Sequence, residues 1–559
     1  MNDKIRTLNI YTLFLFLLVI TSCADKEKQD NPQRRGTYLV LNPSVELETS
    51  ARNTNSLVAS AQSQNILSGN STVDNMQYFD EYDVLATVSN LEASIRNISR
   101  ANLQQGAAKL LAATADDVAT QRLALDVTFR FIMLSGDLII SNSVYKVGEE
   151  INIELDGQTT YRWFALSFES NDPELPMPNL AGTLARSELE NKNFLFASGT
   201  LAAVTGENHL EIIFKRLTAR IRVQLNARGL FGRINNETSI SIVKNANNEN
   251  AIKSGDFNIY TGIYANIQNV GPMLASTMVD EPGTPDITVK NGDFYTVDTS
   301  AVAAGNLKLR LNEVHVTLDD DRTRSFMTAR DVVFNTAFTP KFGNLYELQA
   351  RLVESAVRVK NILWARSNII YTIENVDAYR LKSNPGGSTT SSGDTEFWNW
   401  QTSSPNSRDY GTLDPCTQVY PAGTWRMPTQ QDWEAIGQPD ENREILGYIY
   451  GAEYAYLWNR DADFPENLAY DDNNLFLSFG GYRDSTGIVY ESPSGIGLGI
   501  LASGQCHYWT SSQVNGAPVG VQASFSRLIW GISWGSITYP TSTTNNGKNI
   551  RCVRTSSSV

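Results

Sequence analysis

Between residues 209 and 225 the chain alternates apolar and polar side chains in two runs. Leu210, Ile212 and Phe214 share one face of the first; Ala219, Ile221, Val223 and Leu225 share one face of the second. Side chains repeat every two residues in a strand and every 3.6 in a helix, so these runs bury one side only as β-structure. Short strands are also expected at 238–243, 307–311, 314–318 and 346–352, and the Asp319-Asp320-Asp321 run between two of them reads as a hairpin turn. Leu85, Val88, Leu91, Ile95 and Ile98 recur at helical spacing and predict one helix. The pattern predicts two β-sandwiches in tandem, over 37–205 and 206–355.

The 559 residues suffice for about three domains, and 41% apolar residues supply real cores. Net charge is −14, which repels phosphate backbones and speaks against nucleic acid as a partner. The three histidines, His209, His315 and His507, are far apart, and no Cys/His spacing resembles a zinc site. Neither a metal nor another cofactor is expected. Nine of the ten tryptophans lie after residue 360, as do Cys416, Cys506 and Cys552. This shift in composition marks a domain border near residue 356.

The N-terminus carries Lys4 and Arg6, then an apolar run from Tyr11 to Ile20 that is too short to span a bilayer as a helix. It reads as a signal peptide over 1–22. The run ends in Ile20-Thr21-Ser22-Cys23, which resembles the bacterial lipobox. That motif implies lipidation of the Cys23 thiol and amine, with a palmitate-type chain, and delivery to the outer membrane as a lipoprotein precursor. Each buried methylene adds about 0.8 kcal/mol, so several chains anchor durably. Residues 23–36 form a polar tether.

Phe214-Lys-Arg-Leu-Thr-Ala-Arg-Ile-Arg-Val-Gln-Leu225, with Tyr161-Arg-Trp-Phe-Ala-Leu-Ser167 upstream, resembles the fimbrillins of Bacteroidales-type pili. The resemblance covers roughly residues 37–350. It implies two transthyretin-like β-sandwiches, assembly with other fimbrial subunits by donor-strand exchange, and a protease that cuts after an arginine to release the first strand. The residues suit such a device. In the strand Thr37–Glu48, Pro43 cannot donate a ladder hydrogen bond, which places the strand at an edge. Its loss would expose unpaired backbone and an apolar strip, a template for another strand. Arg52 follows in a polar stretch open to a protease; Arg34-Arg35 is the competing site, where cleavage after Arg35 frees only the lipid.

In residues 361–559, Ile362–Asn368, Trp398-Asn-Trp400, Asp414–Ile436, Phe479-Gly-Gly-Tyr-Arg483, Tyr508-Trp-Thr-Ser-Ser512 and Asn549-Ile-Arg-Cys-Val-Arg554 resemble, in order, the Fibrobacter-succinogenes-major-paralogous domain. This implies an α+β C-type-lectin-like fold over 356–559 and a disulfide between Cys416 and Cys552. Spacing alone leaves a Cys416–Cys506 bridge open. Independently of the family, Thr429 with Asp432 forms a helix-capping pair, and Gly480-Gly481 permits a tight turn. Trp425, Trp433 and Trp509 are expected in the core. Trp398 and Trp400 flank a polar loop and are the candidate ligand-stacking surface.

The composition therefore frames a mainly β surface protein, not an enzyme: no P-loop or HExxH pattern occurs, and the cysteines lack a reactive context. Two functions compete. One is a pilus tip subunit whose C-terminal domain binds a glycan or protein ligand. The other is a stand-alone outer-membrane lipoprotein that binds glycans and does not polymerise.

Overall fold

The computed structural model describes residues 37–50, 72–79, 81–89, 120–149, 151, 153–282, 288–318, 321–373, 377–382, 395–405, 411–449, 452–463, 474–490, 494–496, 501–528 and 530–555. These residues are mainly β. The first sheet runs, by neighbouring strands, Thr120–Arg122, Thr37–Glu46, Glu207–Arg216, Leu195–Ala202, Thr160–Ser167, Thr128–Ser135 and Leu138–Lys146, with Ile153–Leu155 also beside Thr37–Glu46. One face closes on its own core, around Phe129, Phe131, Trp163 and Phe214. The other face presents Ile132, Leu134, Phe164 and Phe196 to Phe257 and Ile259. Phe257 belongs to a small sheet of Thr183–Leu184, Lys253–Asn258 and Ile263–Asn269.

The 209–216 alternation is realised residue by residue: Leu210, Ile212 and Phe214 are buried, and Glu211, Ile213 and Lys215 are exposed. Because Glu207–Arg216 completes the first sheet, the junction with the next sheet falls at 217–218 rather than near 205. The second sheet has the order Val279–Asp280, Val289–Thr296, Ala219–Gly229, Asn344–Val353, Asp83–Ser89 and Thr72–Tyr78. Its inner face meets a sheet built around Leu307–Leu318, which pairs with Gly232–Ile234, Ser239–Lys244, Thr323–Phe326 and Arg330–Phe334. Ile221, Val223 and Leu225 pack there with Leu309, Leu311 and Val316.

Two expectations are corrected. Residues 307–318 form one strand, because Glu313 continues the ladder opposite Ser239 and the chain takes up Asn312 as a bulge instead of turning. The turn comes after it, where the Asp321 N–H donates to the Leu318 carbonyl at 3.0 Å. The expected helix begins as a strand: Asp83–Ser89 buries Val84 and Ala86 on one face against the second core, a period of two. Leu91, Ile95 and Ile98 lie outside the described residues.

Beyond residue 355, Ala356–Val359 and Ile362–Ala365 join Val553–Arg554 and Trp425–Arg426 in a four-stranded sheet. A helix, Gln430–Ile436, starts at Thr429, whose hydroxyl accepts from the Asp432 N–H while Asp432 accepts from the Thr429 N–H at 2.7 Å. Gly437, at φ 72°, ends it. A second four-stranded sheet contains Ser494–Ile496, Leu501–Val514, Ala517–Leu528 and Gly531–Trp534. Trp364, Trp433, Trp458 and Tyr508 fill the core between these elements.

Candidate functional site: the first strand and the C-terminal lock

Thr37–Glu46 pairs in parallel with Glu207–Arg216 from Tyr38 opposite Glu207 to Val45 opposite Phe214. Among the described residues its other side meets only two short strands: Ile153–Leu155 against Thr37–Leu39, and Thr120–Arg122 against Ser44–Glu46. The Tyr38 N–H donates to the Gly206 carbonyl at 3.1 Å. Alternation then turns the even-numbered N–H groups toward Glu207–Arg216 and the odd ones toward the sparsely covered side. Pro43 is odd-numbered. Its missing donor falls in the gap between the two short strands, where no ladder bond is lost.

The inward side chains are Leu39, Leu41 and Val45, exposed by 0%, 8% and 0%. They join Leu123, Ile153, Leu210 and Phe214 in the first core. Outside, Tyr38 Oη donates to Glu207 Oε2 at 2.9 Å and Asn42 Nδ2 to Glu211 Oε1 at 2.7 Å. Buried Asn208 braces the neighbouring turn by donating to the Val204 carbonyl at 2.9 Å and accepting from the Val204 N–H at 2.9 Å. Burying a large aliphatic side chain stabilises by about 1.5–3 kcal/mol, so three give about 5–9 kcal/mol. That is comparable to the whole stability of a typical domain. A cut in the chain would therefore not by itself release this strand into water.

The strand ends at Glu46 rather than Glu48, and Leu47 is 43% exposed. The chain swings to the second sheet, where Thr49 and Ser50 lie parallel to Asn344 and Leu345. Glu48 is ion-paired with Arg220 at 3.2 Å. Arg52, Arg35 and Cys23 lie outside the described residues.

At the other end of the chain, Cys416 and Cys552 are bonded, with Cα atoms 5.8 Å apart. Cys506 is a buried free thiol, and burial pushes its pKa up to about 12. It therefore stays protonated and a poor nucleophile at neutral pH. Two residues beyond Cys552, Arg554 Nη2 donates to Asp83 Oδ2 at 2.8 Å and to the Glu354 carbonyl at 2.9 Å. The Ala356 N–H also donates to Asp83 Oδ2, at 3.2 Å. The Arg554 guanidinium lies over the Trp425 ring, 3.9 Å from its centroid. Asp83 is fully buried, and desolvation outweighs Arg554 and lifts its pKa to about 6. Around this lock, Arg228 pairs with Asp377 at 2.8 Å, Asn226 Nδ2 donates to Tyr420 Oη at 2.7 Å, and Phe231 packs with Ala356, Trp425 and Trp509. The second sheet and the C-terminal region thus share a continuous interface.

The tryptophan expectations divide. Trp425, Trp433 and Trp509 are core, as expected. Trp398 and Trp400 are core too, at 0% and 6% exposure, which corrects their reading as a stacking surface. Trp398 Nε1 donates to the Ile369 carbonyl at 3.3 Å and Trp400 Nε1 to the Thr510 carbonyl at 2.9 Å, so both polar edges are satisfied inside. The strongly exposed ring is Trp530, at 84%, in the turn between Ala517–Leu528 and Gly531–Trp534. The readable signal was Leu528-Ile-Trp-Gly-Ile532, an apolar turn after serine-rich alternation. Among the described residues no group of three or more His, Cys, Asp or Glu side chains could hold a metal ion.

No protein-family model matches the chain, and no curated protein matches it. Similar solved structures include a candidate cell adhesion protein from Bacteroides fragilis: 9% identity, TM-score 0.28, covering 58% of this chain and 99% of that one. A fimbrial assembly protein from Parabacteroides distasonis is 11% identical, with TM-score 0.21, over 45% of this chain and 89% of its own. The fimbrial anchor protein Mfa2 from Porphyromonas gingivalis is 10% identical, with TM-score 0.19, over 38% of this chain and 79% of its own. At these scores the likenesses leave the assignment of a role to the residues themselves.

Proposed function

We propose that this chain is a cell-surface fimbrial subunit, exported as a lipoprotein through Cys23 and assembled by strand exchange at the groove now filled by Thr37–Glu46. Its C-terminal C-type-lectin-like domain, 356–559, is the adhesive end. The observation that carries the reading is the placement of Thr37–Glu46: paired in full on one side only, seated by three apolar side chains, and followed shortly by Arg52. A donated strand that offers an apolar residue at every second position could inherit the Glu207–Arg216 ladder and the same pockets.

We read the subunit as a tip, because it accepts a strand while its Val553–Arg554 strand is held within its own fold. Val553–Arg554 is tied to Cys416 through Cys552 and to Asp83 through Arg554. N-terminal sequencing of assembled pili tests the reading. A start at Asn53 is expected. A start at Gly36 would mean lipid release without exchange, and an intact lipidated start with no pilus incorporation would favour the stand-alone lipoprotein.

A further inference from the structure

The sheet of Ser494–Ile496, Leu501–Val514, Ala517–Leu528 and Gly531–Trp534 has one face in the core, where Cys506, Tyr508, Val521, Ala523 and Phe525 pack. Strand alternation sends Ser503, Gln505, Ser524, Ser526 and Ser533 to the opposite face, and all five are exposed. The register sets Ser503 beside Ser526, Ser526 beside Ser533, and Gln505 beside Ser524. Arg527 is the one charged residue in the three longest-paired strands, and it alternates to the other side. The result is an uncharged plane of hydroxyl and amide groups.

Apolar groups border this plane at both ends. At one, the His507 ring lies 4.0 Å from Tyr482, which stacks on Tyr490 at 4.8 Å with the planes 8° apart. Burial, with the Lys548 charge nearby, takes the His507 pKa down to about 3, so this imidazole is neutral at neutral pH. Tyr490 is 45% exposed and its hydroxyl donates to Asp484 Oδ2 at 3.2 Å. At the other end stand Leu528 and Trp530, 49% and 84% exposed. From Gln522, opposite His507, to Leu528 the strand advances about 20 Å at ~3.3 Å per residue.

We infer that this face binds a neutral glycan chain several pyranose rings long. Sugar hydroxyls match a plane of serine and glutamine groups, which can both donate and accept. The carbon-bound hydrogens of a pyranose face match an exposed aromatic ring. Nucleic acids and acidic polysaccharides call for a cluster of cations, and the five exposed polar residues of this plane carry none. A stable protein interface would call for a central buried apolar cluster, whereas here the apolar groups stand at the rim. The inference deepens the adhesive reading of residues 356–559 and is tested apart from it.

The test uses the full mature chain in affinity electrophoresis against xylan, mannan, dextran and a mixed-linkage glucan, with heparin as an acidic control and phosphatidylcholine vesicles in flotation. Retardation by at least one neutral polysaccharide, unaffected by salt, is expected. Trp530→Ala and Tyr490→Ala should each weaken it about tenfold, the loss of one stacking contact. Both side chains are exposed, so the variants keep the wild-type unfolding transition. Ser526→Glu, which puts a charge on the plane, should weaken it as well. The inference is overturned if no neutral glycan binds, if all three variants bind as wild type, or if only vesicles are bound. Pilus-borne adherence that persists with Trp530→Ala would sink the glycan face and leave the fimbrial reading intact. Glycan binding by a chain that never enters a pilus would support the face and remove the fimbrial reading.

Discussion

Replacing Arg554 by methionine removes one partner of a fully buried ion pair and keeps an apolar group of comparable length over Trp425. Asp83 Oδ2 would keep only the Ala356 N–H at 3.2 Å, and Asp83 Oδ1 already has no hydrogen-bond partner. Breaking a buried pair by removing one member typically costs about 3–5 kcal/mol. The cost must depend on pH, and its sign can be worked out. Burial already raises the Asp83 pKa to about 6, above its ordinary value of 3.8. The folded state therefore holds more protons than the unfolded state between those values, and this group's contribution to stability falls as pH rises through that window. Without Arg554 the folded pKa rises further, so the window widens upward. Arg554→Met should lose most at pH 8 and recover part of the loss at pH 5.5, where a neutral carboxyl replaces the buried charge. Urea unfolding followed by tryptophan fluorescence reads it, since nine of the ten tryptophans lie after residue 360. A variant within about 1 kcal/mol of wild type at pH 8, or one whose deficit is the same at both pH values, would refute the reasoning.

Other expectations follow from single features. Cys416→Ser should lower the same transition by up to about 5 kcal/mol, the chain-entropy figure for a loop of this length, and reductant should reproduce the loss in the wild type. In native protein Cys506 should resist alkylation at pH 8 and react fully in urea, as mass spectrometry would show; fast native labelling would contradict its burial. Thr429→Ala should cost about 1 kcal/mol through the lost helix cap, measured by denaturation midpoint. Cys23→Ala should abolish incorporation of labelled fatty acid and leave a soluble or unprocessed precursor; unchanged labelling would refute lipidation there.

What could be read from the sequence was the local alternation. Ala219, Ile221, Val223 and Leu225 are each fully buried because a strand buried on one face cannot shift by one residue without exposing the whole set. The Thr429–Asp432 cap was readable for the same local reason. Misreadings arose where distant partners decide. Leu85 and Val88 fit helical spacing, yet the strand is fixed by its ladder with Asn344–Val353, some 260 residues on, a partner that no window on the sequence contains. The junction of the first two sheets was misplaced because Glu207–Arg216 pairs backward with Thr37–Glu46. The polarity of the loop beside Trp398 and Trp400 points to a surface, but Ile369 and Thr510 carbonyls elsewhere in the fold receive their indole N–H groups. Trp530 is legible in the sequence: an apolar turn between strands has no core to enter.

The parallel ladder of Thr37–Glu46 also constrains the order of events as the protein is made. Tyr38 and its partner Glu207 are 169 positions apart, and the two short flanking strands come well before Glu207. If the chain is exported as proposed above, a channel that delivers the N-terminus first releases Leu39, Leu41 and Val45 long before the strand that completes their shelter. Throughout that interval the apolar strip is a vacant docking edge for any extended peptide nearby. The delay scales with the intervening chain, and non-local parallel pairing is intrinsically slow. A periplasmic chaperone that shields extended apolar strands should thus bind this precursor early and release it only once residue 216 has emerged. Chain-length-dependent crosslinking of translocation intermediates would reveal that handover as a loss of adducts beyond that point.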